Sequence, residues 1–351
     1  MRPLLLPALR QLWRGKTSLQ LGVDPARAVI LDDVDASTIA VLSLLDGRRT
    51  TAEVTATATA GGHAGARVGD LLGLLTRCGA VVDGDPASGL PRRLPVAARR
   101  RLGPDLAVLS LSVGVEAGAV LARRSRRAVV VQARGRIGPM LAALLAASGV
   151  GRVHVQATGK VSSGDVGPGG LLPDDVHQPY AVAAADAVRR VAPEVDTRPL
   201  GPTSQPDLIV LAGGHRPSPA GSLGRLTRGV PHLPVSLRDG TAVIGPLLVP
   251  GRTACLGCIE LHRSDRDPVW PALVAQLSTT RSEHPEPSHL AVAVTAAGLA
   301  GAQVLCYLDG GDPEALGRSL ELTGLGERIR RRSWPPHPRC DCAGRPLPPP
   351  A

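Results

Sequence analysis

An α/β protein in two parts is predicted, on three observations. At 351 residues the chain is long for one minimal domain and suits two, since domains usually run about 100–200 residues. Its first part reads as a short hairpin followed by three helices, a winged-helix-like order. The rest reads as strands alternating with helices, the pattern of a Rossmann-like, mostly parallel sheet. Apolar residues make up 43% and charged ones 20%, which supports a buried core and excludes global disorder.

The first module is expected over residues 1–85. Two apolar runs, 18–23 and 28–31, flank the turn signal Asp24-Pro25 and read as a small hairpin. A helix over 37–45 is ended by Asp46-Gly47. A second starts at Thr51 behind Thr50-Thr51-Ala52-Glu53, where Thr50 and Glu53 have capping-box spacing. A third spans 67–78, with Val68, Leu71, Leu72 and Leu75 on one face. Residues 80–82 then read as a short strand or wing.

Residues 86–105, rich in Pro and Arg and without a period, are expected to be a linker. The second domain is expected over 106–345. A β-branched run, 127–131, leads into Gly135-Arg136-Ile137-Gly138 and an Ala/Leu-rich helix capped by Gly149. Strand 153–156, helix 175–192, strand 208–211, strand 241–249 and a helix over 288–308 continue the alternation. Residues 346–351 form a proline-rich tail.

Net charge is +10, but nine basic and nine acidic residues balance within 1–89, so the excess lies beyond. The arginine groups at 99–101, 123–124, 126–127 and 330–332 read as solvated helix ends and loops, or as a surface for phosphate or an acidic partner. A winged helix invites a DNA-binding reading, yet a DNA reader needs several cations facing phosphates and the third helix offers only Arg67 and Arg77. Trp13, Tyr180, Trp270, Tyr307 and Trp334 are the only aromatic residues, so base-stacking platforms are nearly absent. Nucleic acid is therefore not the expected partner. Apolar runs look broken before the roughly 20 residues that span a bilayer, and no cleavage-site pattern follows Met1, so a cytoplasmic protein without membrane segments is expected. The groove between strand 28–31 and the third helix is left to accept an extended peptide by strand addition, with Val29, Leu31, Leu71, Leu74 and Leu75 as candidate contacts.

A dinucleotide or ATP fold would place G-x-G-x-x-G after the first strand, where glycines let backbone N–H groups approach phosphate. Here the stretch is Ala133-Arg134-Gly135-Arg136-Ile137-Gly138: Gly135 and Gly138 keep the turn, and a Cβ at Ala133 is expected to narrow the cradle. Gln156-Ala157-Thr158 stands where an acid would hold the ribose hydroxyls. Cys255 and Cys258 form C-x-x-C, and Cys340 and Cys342 form C-x-C. Four thiolates in two close pairs suit tetrahedral Zn²⁺, which with a closed shell would be structural. A redox C-x-x-C is the alternative, and His262 or His337 could substitute for one ligand. Cys78 and Cys306 read as small core residues. The histidines 63, 154, 177, 215, 284 and 289 show no metal spacing.

In this order, residues 127–342 resemble the ThiF, MoeB and E1 family of ATP-dependent adenylating proteins. The landmarks are the glycine turn at 133–138, Asp175-Val176-His177-Gln178-Pro179 opening a helix, Ala192-Pro193-Glu194-Val195, the strand at 207–211, Cys255-Leu256-Gly257-Cys258 and the closing cysteine pair. The resemblance also implies structural zinc at the paired cysteines. The departures fall on the family's chemistry. Tyr180 stands at the lysine that binds ATP phosphates, Gly214 of Ala212-Gly213-Gly214-His215 at the metal-binding aspartate, and 162–167 lacks the family's arginine. Each lost contact to a charged group is worth about 1.5–3 kcal/mol, so productive use of ATP is not expected.

The N-terminal module resembles the peptide-recognition element of the PqqD type, on residues 19–31, Leu44-Leu45-Asp46-Gly47-Arg48-Arg49-Thr50 and Cys78-Gly79-Ala80-Val81-Val82-Asp83. Together the halves resemble the leader-peptide-binding partner proteins of thiazole/oxazole-modified (bacteriocin-like) peptide biosynthesis. That resemblance implies a non-catalytic E1-like scaffold. It would bind a precursor's leader and present it to a YcaO-type cyclodehydratase, with a homodimer as the family's usual assembly. A divergent adenylyltransferase of the ubiquitin-like modifier-activating type is the alternative, and a transcriptional regulator the third reading.

Overall fold

The computed structural model describes residues 1–84, 94–201, 203–213, 229–279, 287–325 and 328–344. The chain divides into two compact units, Met1–Arg123 and Arg124–Ala351.

In the first unit, strands β1 (Pro3–Leu5), β2 (Gln11–Trp13), β3 (Leu19–Leu21) and β4 (Val29–Leu31) precede helices α1 (Ala36–Leu44), α2 (Thr51–Ala60) and α3 (Gly65–Arg77), and β5 (Val81–Asp83) closes the module. The predicted hairpin is β3 and β4, paired antiparallel with Leu19 opposite Leu31. Two strands are additions to the sequence reading: β2 extends the hairpin to the order β2-β3-β4, and β1 pairs with β5. The predicted capping box is present: the Thr50 N–H donates to Glu53 Oε2 at 2.7 Å and the Glu53 N–H to Thr50 Oγ1 at 3.2 Å. Leu19, Leu21, Leu31, Val41, Val54, Val68, Leu72 and Leu75 are among the buried core of this module.

Of the linker expected over 86–105, residues 86–93 lie outside the described residues and the remainder is largely helical. Helices α4 (Val96–Arg101), α5 (Gly103–Val113) and α6 (Ala117–Arg124) follow, with Leu102, Leu106, Ala117 and Leu121 forming a small cluster of their own. The boundary between units thus falls near residue 123, not within 86–105. Helix α4 has only six residues and ends on Arg99, Arg100 and Arg101, too short and too charged to display a period.

The second unit holds a seven-stranded sheet in the order β12-β11-β10-β9-β8-β6-β7. Its strands are β6 (Ala128–Ala133), β7 (Arg152–Gln156), β8 (Leu208–Ala212), β9 (His232–Arg238), β10 (Thr241–Ile244), β11 (Arg318–Thr323) and β12 (Arg328–Ser333). Its helices are α7 (Ile137–Ala147), α8 (Tyr180–Val191), α9 (Leu256–Arg266), α10 (Trp270–Thr279) and α11 (Leu290–Leu308). Strands β7, β6, β8 and β9 run parallel, whereas β9 through β12 are antiparallel, so the sheet is mixed where a mostly parallel one was expected. The antiparallel half was hidden by arginine-rich β12 and by a short β10, which stops before Gly245-Pro246 because proline cannot donate to the ladder. Helix α8 begins at Tyr180, not 175, because Pro179 biases the preceding residue away from helix.

Helix α11 corrects another expectation: its 19 residues, of mean hydropathy 1.7, are long and apolar enough to span a bilayer. In this fold Val292, Ala293, Ala296, Ala297, Ala300 and Val304 form a buried stripe in the sheet's core cluster. At Gly301 an added Cβ would lie 2.5 Å from Leu144 Cδ2, so glycine lets α11 and α7 approach closely.

Candidate functional site

Three arrangements carry the chemistry, the first within the N-terminal unit. Strand β4 ends the order β2-β3-β4, and among the described residues no strand pairs with its outer edge. Beside it a groove of about 310 Å³ runs between β4 and α3. Leu31, Leu71 and Leu74, predicted as contacts, line it; Ile30, Val41 and Val68 line it as well. Val29 and Leu75 do not. Leu75 is fully buried on the core stripe of α3 with Val68 and Leu72, whereas Leu74, one residue and about 100° of helical turn away, is 38% exposed. Ile30 is 45% exposed, a position alternation along the strand could have flagged. Asp35 caps α1 by accepting from the Thr38 N–H at 2.8 Å and Oγ1 at 2.9 Å, bonds that hold its carboxyl below its usual range. It also pairs with Arg67 of α3 at 3.2 Å.

The second arrangement lies at the carboxyl end of β6. Because β6 sits between β7 and β8, the sheet grows first one way and then the other from it, the switch point where α/β folds open a ligand crevice. Gly135 holds φ +65 and faces open space. At Gly138 a Cβ would lie 2.4 Å from the Cβ of Ala133. The Ala133 methyl thus meets the first turn of α7, and Gly138 is needed for close helix-on-strand packing. Gly213 (φ +88) ends β8 with its backbone against the Arg134 carbonyl, where an added Cβ would come within 1.7 Å of the oxygen.

Side chains then fill this end of the sheet. The Tyr180 hydroxyl donates to the Gly135 carbonyl oxygen, and the ring is 4% exposed. Burial pushes the phenol far above its ordinary pKa, with the nearby Asp165 carboxylate acting in the same direction, so the hydroxyl keeps its proton and serves as a donor. Arg136 spends its Nε and Nη2 on the Gly164 carbonyl at 3.1 and 2.8 Å, tying down the 162–165 turn. At the expected ribose position Gln156 accepts from Gln132 Nε2 at 3.1 Å. Gly214 and His215 lie outside the described residues, as does the 346–351 tail.

The third arrangement is the cysteine cluster. Cys255 is the N-cap of α9 and Cys258 lies in its first turn; Cys340 and Cys342 arrive from the segment after β12. The four Sγ atoms all lie within 4.8 Å of one another, with 255–258 at 3.9 Å, 255–340 at 3.5 Å and 258–342 at 3.2 Å. A tetrahedron of Zn–S bonds of about 2.3 Å separates sulfurs by about 3.8 Å, so the cluster fits such an ion. Gly257 lies against the cluster, where a Cβ would make only ordinary contact with Cys255 Sγ at 3.4 Å and Cys340 Sγ at 3.5 Å. Burial raises the Cys340 thiol to about 11 and that of Cys342 further, so a divalent cation has to displace those protons.

The histidines weighed as substitute ligands are engaged elsewhere: His262 Nε2 meets the Pro335 carbonyl at 3.0 Å, and His337 Nε2 meets Asp265 Oδ2 at 2.8 Å. Buried Trp334 pins the same segment, donating Nε1 to Ser319 Oγ at 2.9 Å, with the guanidiniums of Arg263, Arg266 and Arg332 at 5.6–5.8 Å from its ring. Cys306 is half-buried, whereas Cys78, expected in the core, is exposed at the end of α3. Among the described residues no second cluster of metal-ligating side chains forms.

The switch-point glycine turn, the mixed sheet and the cysteine cluster after β10 together define an E1-like fold. Solved structures give the particular likeness. The crystal structure of E. coli MccB with MccA-N7isoASN superposes with a TM-score of 0.70 at 16% identity, over 98% of this chain and 100% of that one. E. coli MccB with ATP does so at 0.70 and 16%, over 97% and 99%. The microcin C7 biosynthetic enzyme MccB in complex with N-formylated MccA gives 0.68 and 16%, over 98% and 100%. The likeness is one of fold, and it extends across both units. No family model matches the chain, and no curated protein matches it in sequence.

Proposed function

We propose that this chain is a peptide-binding E1-like scaffold without adenylating activity of its own. The carrying observation is the groove beside the unpaired edge of β4, with Leu31, Leu71 and Leu74 in its lining. In this reading the N-terminal unit is a winged-helix-like, PqqD-type recognition module. The backbone of a precursor's leader adds to β4 and its apolar side chains rest against α3. The E1-like unit scaffolds a separate enzyme, a YcaO-type cyclodehydratase forming thiazoles and oxazoles, and the assembly works in the cytoplasm, with a homodimer as its form. Zn²⁺ held by Cys255, Cys258, Cys340 and Cys342 fastens the C-terminal segment to α9. Crystal structures of MccB with MccA support the peptide part, since they pair this fold with a peptide. Tyr180, engaged with Gly135 where the family's lysine would meet phosphate, supports the loss of adenylation.

Titration of the full chain with labelled leader segments of candidate precursors tests the reading. Saturable binding that is lost in Leu74→Asp is expected, and no titratable affinity for any cognate precursor overturns it. A second reading, a divergent adenylyltransferase acting on a peptide, is favoured by the superposition on MccB with ATP. ATP–pyrophosphate exchange separates the two: the scaffold gives none, with or without peptide.

A further inference from the structure

We infer that the groove of the N-terminal unit selects a basic peptide, an extended segment whose apolar side chains are flanked by lysine or arginine. The inference rests on the peptide-binding reading above and adds the chemistry of the ligand. The apolar part of the groove, Ile30, Leu31, Val41, Val68, Leu71 and Leu74, says nothing about charge. Its polar part does: Asp32, Asp33, Asp35 and Asp70 line the same groove, against the single cation Arg67.

The engagement of these acids differs. Asp35 is taken up by the α1 cap and by Arg67, and Asp32 accepts the Ser18 hydroxyl at 2.7 Å. Asp33 and Asp70 are exposed and have no hydrogen-bond or ion-pair partner among the described residues. Asp33 stands two residues beyond the end of β4, after Asp32, at φ 54, a left-handed conformation aspartate tolerates better than most residues, so the edge strand runs out into a pair of acids. Asp70 lies one residue before Leu71 on α3, across the groove. A strand added to β4 therefore runs between free carboxylates on both walls.

This is a local separation of charge. Residues 1–89 are balanced at nine basic and nine acidic, and the chain as a whole carries +10, yet the groove is acidic. A polyanion is repelled there, and an acidic peptide would set like charges against each other along the strand. An exposed ion pair changes affinity by roughly two- to fivefold, so two or more together give about tenfold. Salt screens such pairs, because the Debye length falls to about 3 Å at 1 M.

The probes are three fluorescein-labelled peptides with the same Leu/Ile/Val core and flanks of lysine, serine or glutamate, titrated onto the full chain by fluorescence anisotropy. Binding is expected in the order lysine, serine, glutamate, with about tenfold between the extremes at low salt and convergence at high salt. The Asp33→Asn/Asp70→Asn variant should lose most of that discrimination. Equal binding of all three peptides, with all three lost in Leu74→Asp, overturns the charge selection and leaves the peptide-binding reading standing. Tighter binding of the glutamate peptide likewise overturns the selection. Absence of binding by every peptide, together with none by cognate leaders, overturns both.

Discussion

The hydroxyl of Tyr180, in the first turn of α8, donates to the carbonyl oxygen of Gly135, in the turn between β6 and α7. A neutral side chain thereby secures the glycine turn at the switch point of the sheet. Tyr180→Phe removes the donor and leaves the rest of the ring in place. A stability loss of about 0.5–1.5 kcal/mol is expected from chemical denaturation, with peptide affinity unaltered. Tyr180→Lys is expected to produce no pyrophosphate exchange by itself, since the ribose acid and the arginine are also absent.

Neighbouring leucines on α3 are expected to behave oppositely. Leu75→Ala opens a cavity in a closed core and should cost about 2–5 kcal/mol in a urea melt. Leu74→Ala should change stability by no more than about 0.5 kcal/mol while weakening peptide binding roughly tenfold. Equal effects of the two on stability would remove Leu74 from the groove surface.

The cysteine cluster predicts about one zinc ion per chain in metal analysis of the purified protein. Cys258→Ser, replacing the fully buried ligand, should lower both zinc content and Tm, and strong chelators should lower the Tm of the unsubstituted chain. Full stability of the metal-free protein would count against a structural ion.

Arg124 is 3% exposed and donates to both carboxylate oxygens of Asp309 and, at 2.8 Å, to the Ser148 carbonyl, joining the start of the second unit to the end of α11. Asp309→Ala strands a buried guanidinium and should cost about 3–5 kcal/mol. The double substitution Arg124→Met/Asp309→Ala should recover much of that loss, which a double-mutant cycle measures.

Stability should fall in acid in two stages. His232 is buried at the start of β9, with Nδ1 on the Val230 carbonyl at 3.0 Å and Nε2 without a partner among the described residues; burial holds its pKa below the usual value. The folded state then binds this proton less well than the unfolded chain. Its contribution is complete above about pH 6.5 and is lost as pH falls through that value toward the lower folded pKa. Asp196 adds a later stage. Hydrogen bonds from Arg198, reinforced by Arg152, depress its carboxyl, so its contribution is present above about pH 3.9 and is lost below it. Denaturation midpoints across pH should show the first stage removed in His232→Gln and the second in Asp196→Asn.

Much of this protein was legible in one dimension. The 128–133 strand, the helix behind it, the Thr50–Glu53 cap and the two cysteine pairs are set by neighbouring residues: side-chain period, glycine at a positive φ, ligand type and spacing. Periodicity states which residues share a face. It does not state what covers that face, so Leu75 of the predicted stripe could be named a groove contact beside Leu74, and Cys78 could not be seen to lie outside the core.

Only the tertiary structure decided that Tyr180 reaches Gly135 across 45 positions and that the far half of the sheet turns antiparallel. It also brought Asp33 and Asp70 to opposite walls of one groove. Each of these is a contact through space between distant segments, fixed by how whole elements pack and not by the preferences of the residues beside them.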